Sequence, residues 1–403
     1  MLSVLTLSEA GERLARELTK TLGEETVSLP DALHRVLFSD IISSEDVPAF
    51  TRSTVDGYAV CASDTFGCSE SIPALLQLTG EVAMGQTAEG VSLAPGQCAY
   101  VPTGGALPAG ADAMVMLEYA ERFSGDTVAI EKPAAPGQHL IFAGDDVKSG
   151  ACILKKGTRL MQKDVGVLAA LGQTRLSVYR KPRVTVLSTG DELVATDETP
   201  DPGQIRDVNG PMLAAQCLGW GAEVRRPPIV RDEQNLLETA LLSAAEDSDL
   251  ILLSGGSSAG ARDMAADTLA RLGRLLFHGL AVKPGKPTLA GEINGVPVIG
   301  LPGHPVAAFL QCHLLVRPLI NRMTDTETVD LSGPATLSVN LPSNHGREEY
   351  VPVRLSGETA VPVIGKSGLI GTLARADGYL RIPRDTEGLR QGETVTVFRW
   401  ETI

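Results

Sequence analysis

The sequence predicts a multi-domain α/β plus β protein, and three observations carry that reading. Between Arg183 and Met323 short apolar runs alternate with helical patterns, which predicts a doubly wound unit, a parallel sheet with helices on both faces. From Ile41 to about Ile130 strand-like pieces and loops take over, so a β-rich lobe is expected ahead of that unit. After about Glu327 helical periodicity disappears, and short β segments split by Gly, Pro and Asp turns predict a small C-terminal β barrel.

Taken in order, the chain opens with Thr6-Leu7-Ser8-Glu9, the pattern of a capping box. Leu7, Gly11, Leu14 and Leu18 then mark one face of a helix that stops near Gly23. A second short helix is expected over 30–37, then strands such as 97–101, 113–117 and 127–130. Gly137, Gly144, Gly150 and Gly157 punctuate short segments before a helix over 163–171. The pattern permits this helix to pack on the first one, with the intervening strands forming a separate lobe. In the α/β unit, helices are expected over 211–218, 233–245, 262–272 and 305–323, and Asn294-Gly295 reads as a hairpin turn. The barrel segments are expected at 350–355, 379–382 and 394–399.

Composition narrows the partners. Among 403 residues, Lys+Arg 35 against Asp+Glu 49 gives a net charge of −14, and no basic tract is present, so neither nucleic acid nor an acidic membrane surface is an expected partner. A small anion remains admissible. Charges are screened beyond roughly 8 Å in physiological salt, whereas a lysine roughly 4 Å from a phosphate gains about 4 kcal/mol at an effective dielectric of about 20. The six cysteines form no CxxC and no Cys/His ligand spacing, which predicts reduced side chains. Glu9, Glu12 and Arg13 interrupt what would be the apolar part of a signal peptide, and no run approaches the length of a membrane span. A soluble, cytoplasmic protein is expected.

The chemistry concentrates between Arg183 and Ala307. The apolar run Leu250-Ile251-Leu252-Leu253 suits a strand buried on both faces, and it ends in Ser254-Gly255-Gly256-Ser257-Ser258-Ala259-Gly260, followed by Asp263. Glycine turns between a strand end and a helix start leave backbone N–H groups open to anions. Lys283-Pro284-Gly285-Lys286-Pro287 is too stiff for a helix interior and projects two lysines. Leu301-Pro302-Gly303-His304-Pro305 ends another strand, with Pro305 suited to the first helical position. The strand 184–188 leads into Thr189-Gly190-Asp191-Glu192. Each feature alone has a bland reading: Asp263 as a cap, the lysines as solvated charge, Asp191 and Glu192 as turn polarity, His304 as a cap or packing residue. Their coincidence at strand ends of one sheet outlines a phosphate-plus-metal site. In the first half, the loop at Asp56-Gly57, the turn Pro102-Thr103-Gly104-Gly105 and the turn Gly144-Asp145-Asp146 read by themselves as turn chemistry.

These motifs together resemble one family. RSTVDGYAV, VPTGGALPAGADAMV, the GDDV turn, STGDEL, GQIRDVN, SGGSSAG with Asp263, LAVKPGKP and GLPGHPV stand in the order found in the molybdopterin molybdenumtransferases (molybdenum insertases), which include the E domain of gephyrin. The likeness spans about residues 5 to 400. GDEL, PGKP and LPG alone also resemble the single-domain molybdopterin adenylyltransferases; RSTVDGYAV and the long flanks single out the insertase.

The resemblance implies an elongated domain (1–26 and 148–180), an inserted β-rich lobe (27–147), an α/β molybdopterin-binding domain (181–327) and a C-terminal β barrel (328–403). It implies a homodimer with sites shared between subunits. It also implies Mg²⁺-dependent conversion of adenylylated molybdopterin and molybdate into molybdenum cofactor and AMP. Catalytic roles would fall to Asp56, Thr103, Glu192, Asp263 and Lys283. Substrate would meet Asp191, Asp232, Ser254, Gly255, Gly256, Gly260, Lys286, Pro302, Gly303, His304, Pro305 and Ser367, and Asp146 aligns with a functional position. Mg²⁺ prefers oxygen ligands, which suits Asp263 with Asp191 or Glu192. The chain departs from the pattern at His304, where Asn is frequent, at Ser257 and Ala259, where Val is frequent, and at Gly279, where Lys is frequent. These departures bear on how the oxyanion is held and on whether it is molybdate or tungstate. The alternatives are adenylyl transfer onto molybdopterin and a non-catalytic pterin-binding scaffold.

Overall fold

The computed structural model describes residues 4–17, 20–123, 125–255, 259–328 and 330–400, with the backbone alone for 259–263. Its centre is a six-stranded sheet in the order Glu223–Arg225, Arg183–Thr189, Leu250–Gly255, Val296–Leu301, Leu289–Ile293, Arg274–His278. The first four strands are mutually parallel. Leu289–Ile293 is antiparallel to both neighbours, so the sheet is mixed where a parallel one was expected. Asn294 (φ 52°) and Gly295 (φ 78°) cause the reversal, because two successive left-handed residues make the tight hairpin turn that matches strand twist.

Both sheet faces are covered, and the strands show why. Val184, Val186, Leu250 and Leu252 point into one cluster with Leu213 and Cys217 of the helix Asn209–Gly219 and Val306 and Ala308 of the helix Pro305–Gln311. Leu187, Ile251 and Leu253 point the other way, onto Leu237 and Leu241 of Gln234–Asp247 and Leu269 of Ala259–Leu272. The period of two along each strand thus fills two cores from one apolar run. The helical run 305–323 is interrupted by a π-helical turn at Cys312–Val316.

The N-terminal helix Leu7–Glu17 carries the expected capping box: Glu9 accepts from the Thr6 N–H at 2.8 Å, and Thr6 Oγ1 accepts from the Glu9 N–H at 3.2 Å. Its buried residues, Ala10 and Leu14, belong to the core of the α/β unit, whereas Leu168 of the helix Gln162–Ala170 packs with Leu37, Leu176 and Val178. The two helices therefore occupy different cores and do not pair as the sequence permitted. The expected helix over 30–37 is only a 3₁₀ turn at Pro30–Ala32. Beyond it the chain is extended, with Leu37 bridged to Val178 and Val36 to Arg159.

Between these parts a six-stranded sheet builds the β-rich lobe around Tyr58, Cys98, Val115 and Val128. At the other end, Ser332–Leu337, Glu348–Ser356, Thr359–Pro362, Gly378–Ile382 and Thr394–Arg399 close into a five-stranded barrel. The barrel is tied to the α/β unit. The short strand Val282–Lys283 pairs parallel with Glu348 and Glu349, and His313 sits among Trp220, Tyr379 and Trp400. Among the described residues no helix is long and apolar enough to cross a membrane.

Candidate active site

Where the carboxyl ends of the central strands meet the barrel, a cavity of about 390 Å³ is lined by Gly255, Lys283, Lys286, Pro302, Gly303, His304, Arg347 and Ser367 with their neighbours. Each wall is fixed locally. Gly255 (φ +140°) lies so close to Thr189 that any side chain would overlap the Thr189 carbonyl, so only glycine lets these two strand ends meet. The lysine turn is pinned from behind: Gln311, fully buried, donates its amide to the Pro284 carbonyl at 2.9 Å, and the Thr288 hydroxyl donates to the Gly285 carbonyl at 2.7 Å. Gly285 (φ +126°) has no room for a Cβ against Gln311. Opposite, Asn209 donates to the Gly303 carbonyl at 2.8 Å and holds the Leu301–Pro305 turn.

The cavity is cationic. Lys283, Lys286 and Arg347 reach it, and Lys283 is engaged by Glu349 at 2.7 Å. His304 begins the helix Pro305–Gln311 by position but makes no side-chain cap bond. Its Nδ1 lies 2.9 Å from the Ser367 hydroxyl, and the Val306 N–H donates to the Ser367 carbonyl at 3.1 Å. Ser367 thereby joins the barrel to the α/β unit at the cavity wall.

A second cluster is acidic. Asp191 and Glu192 follow Thr189, next to Gly255, and Asp191 accepts the Asp232 N–H at 3.2 Å. Burial, reinforced by the Glu192 and Asp191 carboxylates, pushes the Asp232 carboxyl above its ordinary range. Its Oδ1 is buried without a hydrogen-bond partner among the described residues. A cation or a protonated ligand group would relieve both conditions. Among the described residues no group of three His, Cys, Asp or Glu stands close enough to enclose a metal ion.

On the lobe, Asp56 accepts the Thr103 N–H at 2.9 Å, and the Ser53 carbonyl accepts the Gly104 N–H at 2.8 Å. The two loops that looked like unrelated turns therefore form one exposed unit. None of their residues lines the cavity of the same chain. Asp146 sits apart from this pair in its bonding, its N–H donating to the Val47 carbonyl.

Several expected contacts fall elsewhere. Ser254, 1 % exposed, is sealed in its strand between Ser188 and Leu301, and Pro305 is buried under the helix start, so neither lines the cavity. Gly260 lies in the helix Ala259–Leu272, while Gly256 and the side chain of Asp263 lie outside the described residues. Arg347 was not anticipated. It stands in the polar Asn344-His345-Gly346-Arg347 turn, where a lone arginine before a β run gives no spacing signal, and only barrel closure brings it to the lysines.

Fold and site together define a multidomain α/β protein with a cationic cavity between its central sheet and a β barrel. Family profiles described as "MoeA N-terminal region (domain I and II)", "Probable molybdopterin binding domain" and "MoeA C-terminal region (domain IV)" match residues 5–172, 185–322 and 334–400. A putative molybdopterin biosynthesis protein of Methanocaldococcus jannaschii is 34 % identical over 396 residues, covering 96 % of this chain and 95 % of the relative. The molybdopterin molybdenumtransferase of Bacillus subtilis is 32 % identical over 383 residues, covering 93 % and 89 %. The crystal structure of a molybdopterin biosynthesis MoeA protein from Pyrococcus horikosii matches with a TM-score of 0.88 at 37 % identity, covering 100 % of both chains. The chain belongs to the MoeA family of molybdopterin molybdenumtransferases.

Proposed function

We propose that this protein inserts molybdate into adenylylated molybdopterin, with Mg²⁺-dependent cleavage of the phosphoanhydride and release of AMP and molybdenum cofactor. The observation that carries the reading is the cavity where Lys283, Lys286 and Arg347 converge beside an acidic turn. Cleaving a phosphoanhydride demands neutralisation of phosphate charge and positioning, more than a nucleophilic side chain. Lys283 and Lys286 bind anionic oxygens, Arg347 adds a planar donor fork, and Ser367 with His304 contacts the oxyanion. Pro302 and Gly303, with Gly255 and the glycine turn through Gly256 and Gly260, hold the pterin side.

Asp191, Glu192 and Asp263 would hold Mg²⁺, which when bound supplies positive charge against the anhydride. The Asp232 oxygen, without a partner among the described residues, and its raised carboxyl support a cation beside this turn. Asp56 and Thr103 would complete the site from the lobe of a second subunit in a homodimer, which is supported by their absence from the cavity of their own chain. The reading keeps the division into 1–26 with 148–180, 27–147, 181–327 and 328–403, with the helix Leu7–Glu17 docked on the α/β unit. It is cytoplasmic, in keeping with six cysteines that stand as thiols.

The test is AMP release by the purified protein from adenylylated molybdopterin, with molybdate and Mg²⁺ each omitted in turn. Release that needs both is expected. No release, or release indifferent to the oxyanion, would sink the assignment, and tungstate in the same assay decides which oxyanion is preferred.

A further inference from the structure

We propose that Gln311 is a positioning residue for the anion site: its buried amide locks the peptide between Lys283 and Lys286 and so sets where the Lys286 ammonium meets the ligand. The inference rests on the reading of the cavity as the oxyanion site. Gln311 has no exposed surface and does not line the cavity, so it acts from behind the wall. Its Nε2 donates to the Pro284 carbonyl at 2.9 Å, a bond that only the NH₂ end of the amide can make. Its Nε2, Cδ and Cγ also crowd the place where a Cβ on Gly285 would stand. The Oε1 end is buried without a hydrogen-bond partner among the described residues.

The neighbouring carbonyls show what is particular about this bond. The Gly285 carbonyl accepts the Thr288 N–H at 3.1 Å, and the Lys286 carbonyl accepts the Leu280 N–H at 2.9 Å. Those donors are backbone groups, which nearly any residue supplies. The Pro284 carbonyl takes a side chain instead. It belongs to the Pro284–Gly285 peptide, the rigid plane just ahead of the Gly285 Cα. Gly285 stands at φ +126°, and glycine lets the chain rotate there at little cost. Released, that plane would turn and carry Lys286 off the cavity; held, it keeps the ammonium in place before the ligand arrives, which is how preorganisation raises affinity. Lys283 has restraints of its own, the pairing with Glu349 in the short ladder and the ion pair to the same residue. A buried amide with one end unpaired costs stability. Asn209 repeats the device on the opposite wall, with Nδ2 on the Gly303 carbonyl and a buried Oδ1 that has no partner among the described residues. Holding the cavity turns accounts for both amides.

The experiment is calorimetric titration of molybdate into the full chain, with thermal melts alongside, for wild type, Gln311→Met and Gln311→Leu. Each is made with and without Lys286→Ala, and with and without Lys283→Ala. Both Gln311 substitutions keep nearly the volume of glutamine and remove its amide. The melting temperature should move by less than about 3 °C, because loss of the bond is offset by loss of the unpaired oxygen. Affinity for molybdate should nevertheless fall about tenfold or more, as for one lost charge-assisted hydrogen bond. Lys286→Ala should cost about as much in wild type but less than about threefold once the amide is gone, since the two changes then remove the same contact. Lys283→Ala should cost the same in either background. A residue that merely supports the fold would lower the melting temperature and leave the Gln311 and Lys286 losses additive. Unchanged affinity, additive losses, or failure of both Gln311 variants to fold would overturn the proposal. Absence of any binding heat in wild type would instead overturn the oxyanion reading of the cavity, and the proposal with it.

Discussion

Asp249 has no exposed surface, yet Arg180 contacts it through two nitrogens at 2.6 and 2.7 Å, Lys20 at 3.1 Å and the Arg183 N–H at 2.9 Å. Burial alone would raise its carboxyl; these partners, Arg180 first, hold it down to about 2. An unfolded aspartate titrates near about 3.9, so the folded state gains roughly 2–3 kcal/mol from this residue above that pH. The gain is lost as pH falls from about 4 to about 2. Asp249→Asn should therefore lower stability to urea by about that amount at pH 7, and the difference from wild type should shrink on acidification through that window. A pH-independent difference would mean the ion pairs are not its source. Lys283 poses the opposite case, a lysine half in solvent whose partner Glu349 also accepts the Ser343 hydroxyl. Lys283→Ala should weaken binding of the adenylylated pterin by roughly 1.5–3 kcal/mol, while the melting temperature should hardly move, because Lys283 is half in solvent and Glu349 keeps its bond from Ser343. Equal affinity would return Lys283 to an ordinary surface role. The lysines, the glycines and His304 were legible because each breaks a local pattern at a strand end. The bond between His304 and Ser367 was not, since its partners lie 63 residues apart in different folding units.

Among elements, legibility followed the locality of the cause. The capping box at Thr6 and Glu9 and the Asn294-Gly295 hairpin depend on neighbours in sequence and formed where the pattern put them. The segment 33–37 reads as helix by composition, but Val36 and Leu37 are buried in two different cores on opposite sides of the chain. Extended backbone serves both at once, and tertiary packing overrides propensity. Glycine substitutions separate these two kinds of control. In Gly255→Ala the new methyl meets the Thr189 backbone at a φ of +140°, so strain and overlap should cost roughly 2–5 kcal/mol, with loss of ligand binding. Gly11 lies inside the helix Leu7–Glu17 with nothing within 4 Å of its would-be Cβ, so Gly11→Ala should gain about 0.5–1 kcal/mol. Thermal melts of the two variants should move in opposite directions. A neutral Gly255→Ala would mean that the strand ends are not held together as described.

At the scale of the whole molecule, the two halves of the proposed site are separated within one chain. The Asp56–Thr103 pair belongs to the lobe, while the cavity draws only on the α/β unit and the barrel. A two-fold dimer would resolve the separation by letting each lobe face the partner's cavity, giving two equivalent shared sites. The arrangement has a consequence that no single-site variant can mimic. Let one subunit carry Asp56→Ala and its partner Asp263→Ala. With shared sites, one site collects both lesions and the other collects neither. With each site inside one subunit, both sites carry one lesion. The mixed dimer, isolated through two different affinity tags, should then release AMP at about half the wild-type rate, whereas each mutant homodimer should be inactive. An unmutated dimer bearing the same two tags supplies the reference rate. A mixed dimer as inactive as its parents would exclude the shared site and would require Asp56 to act on the cavity of its own chain, which it does not line.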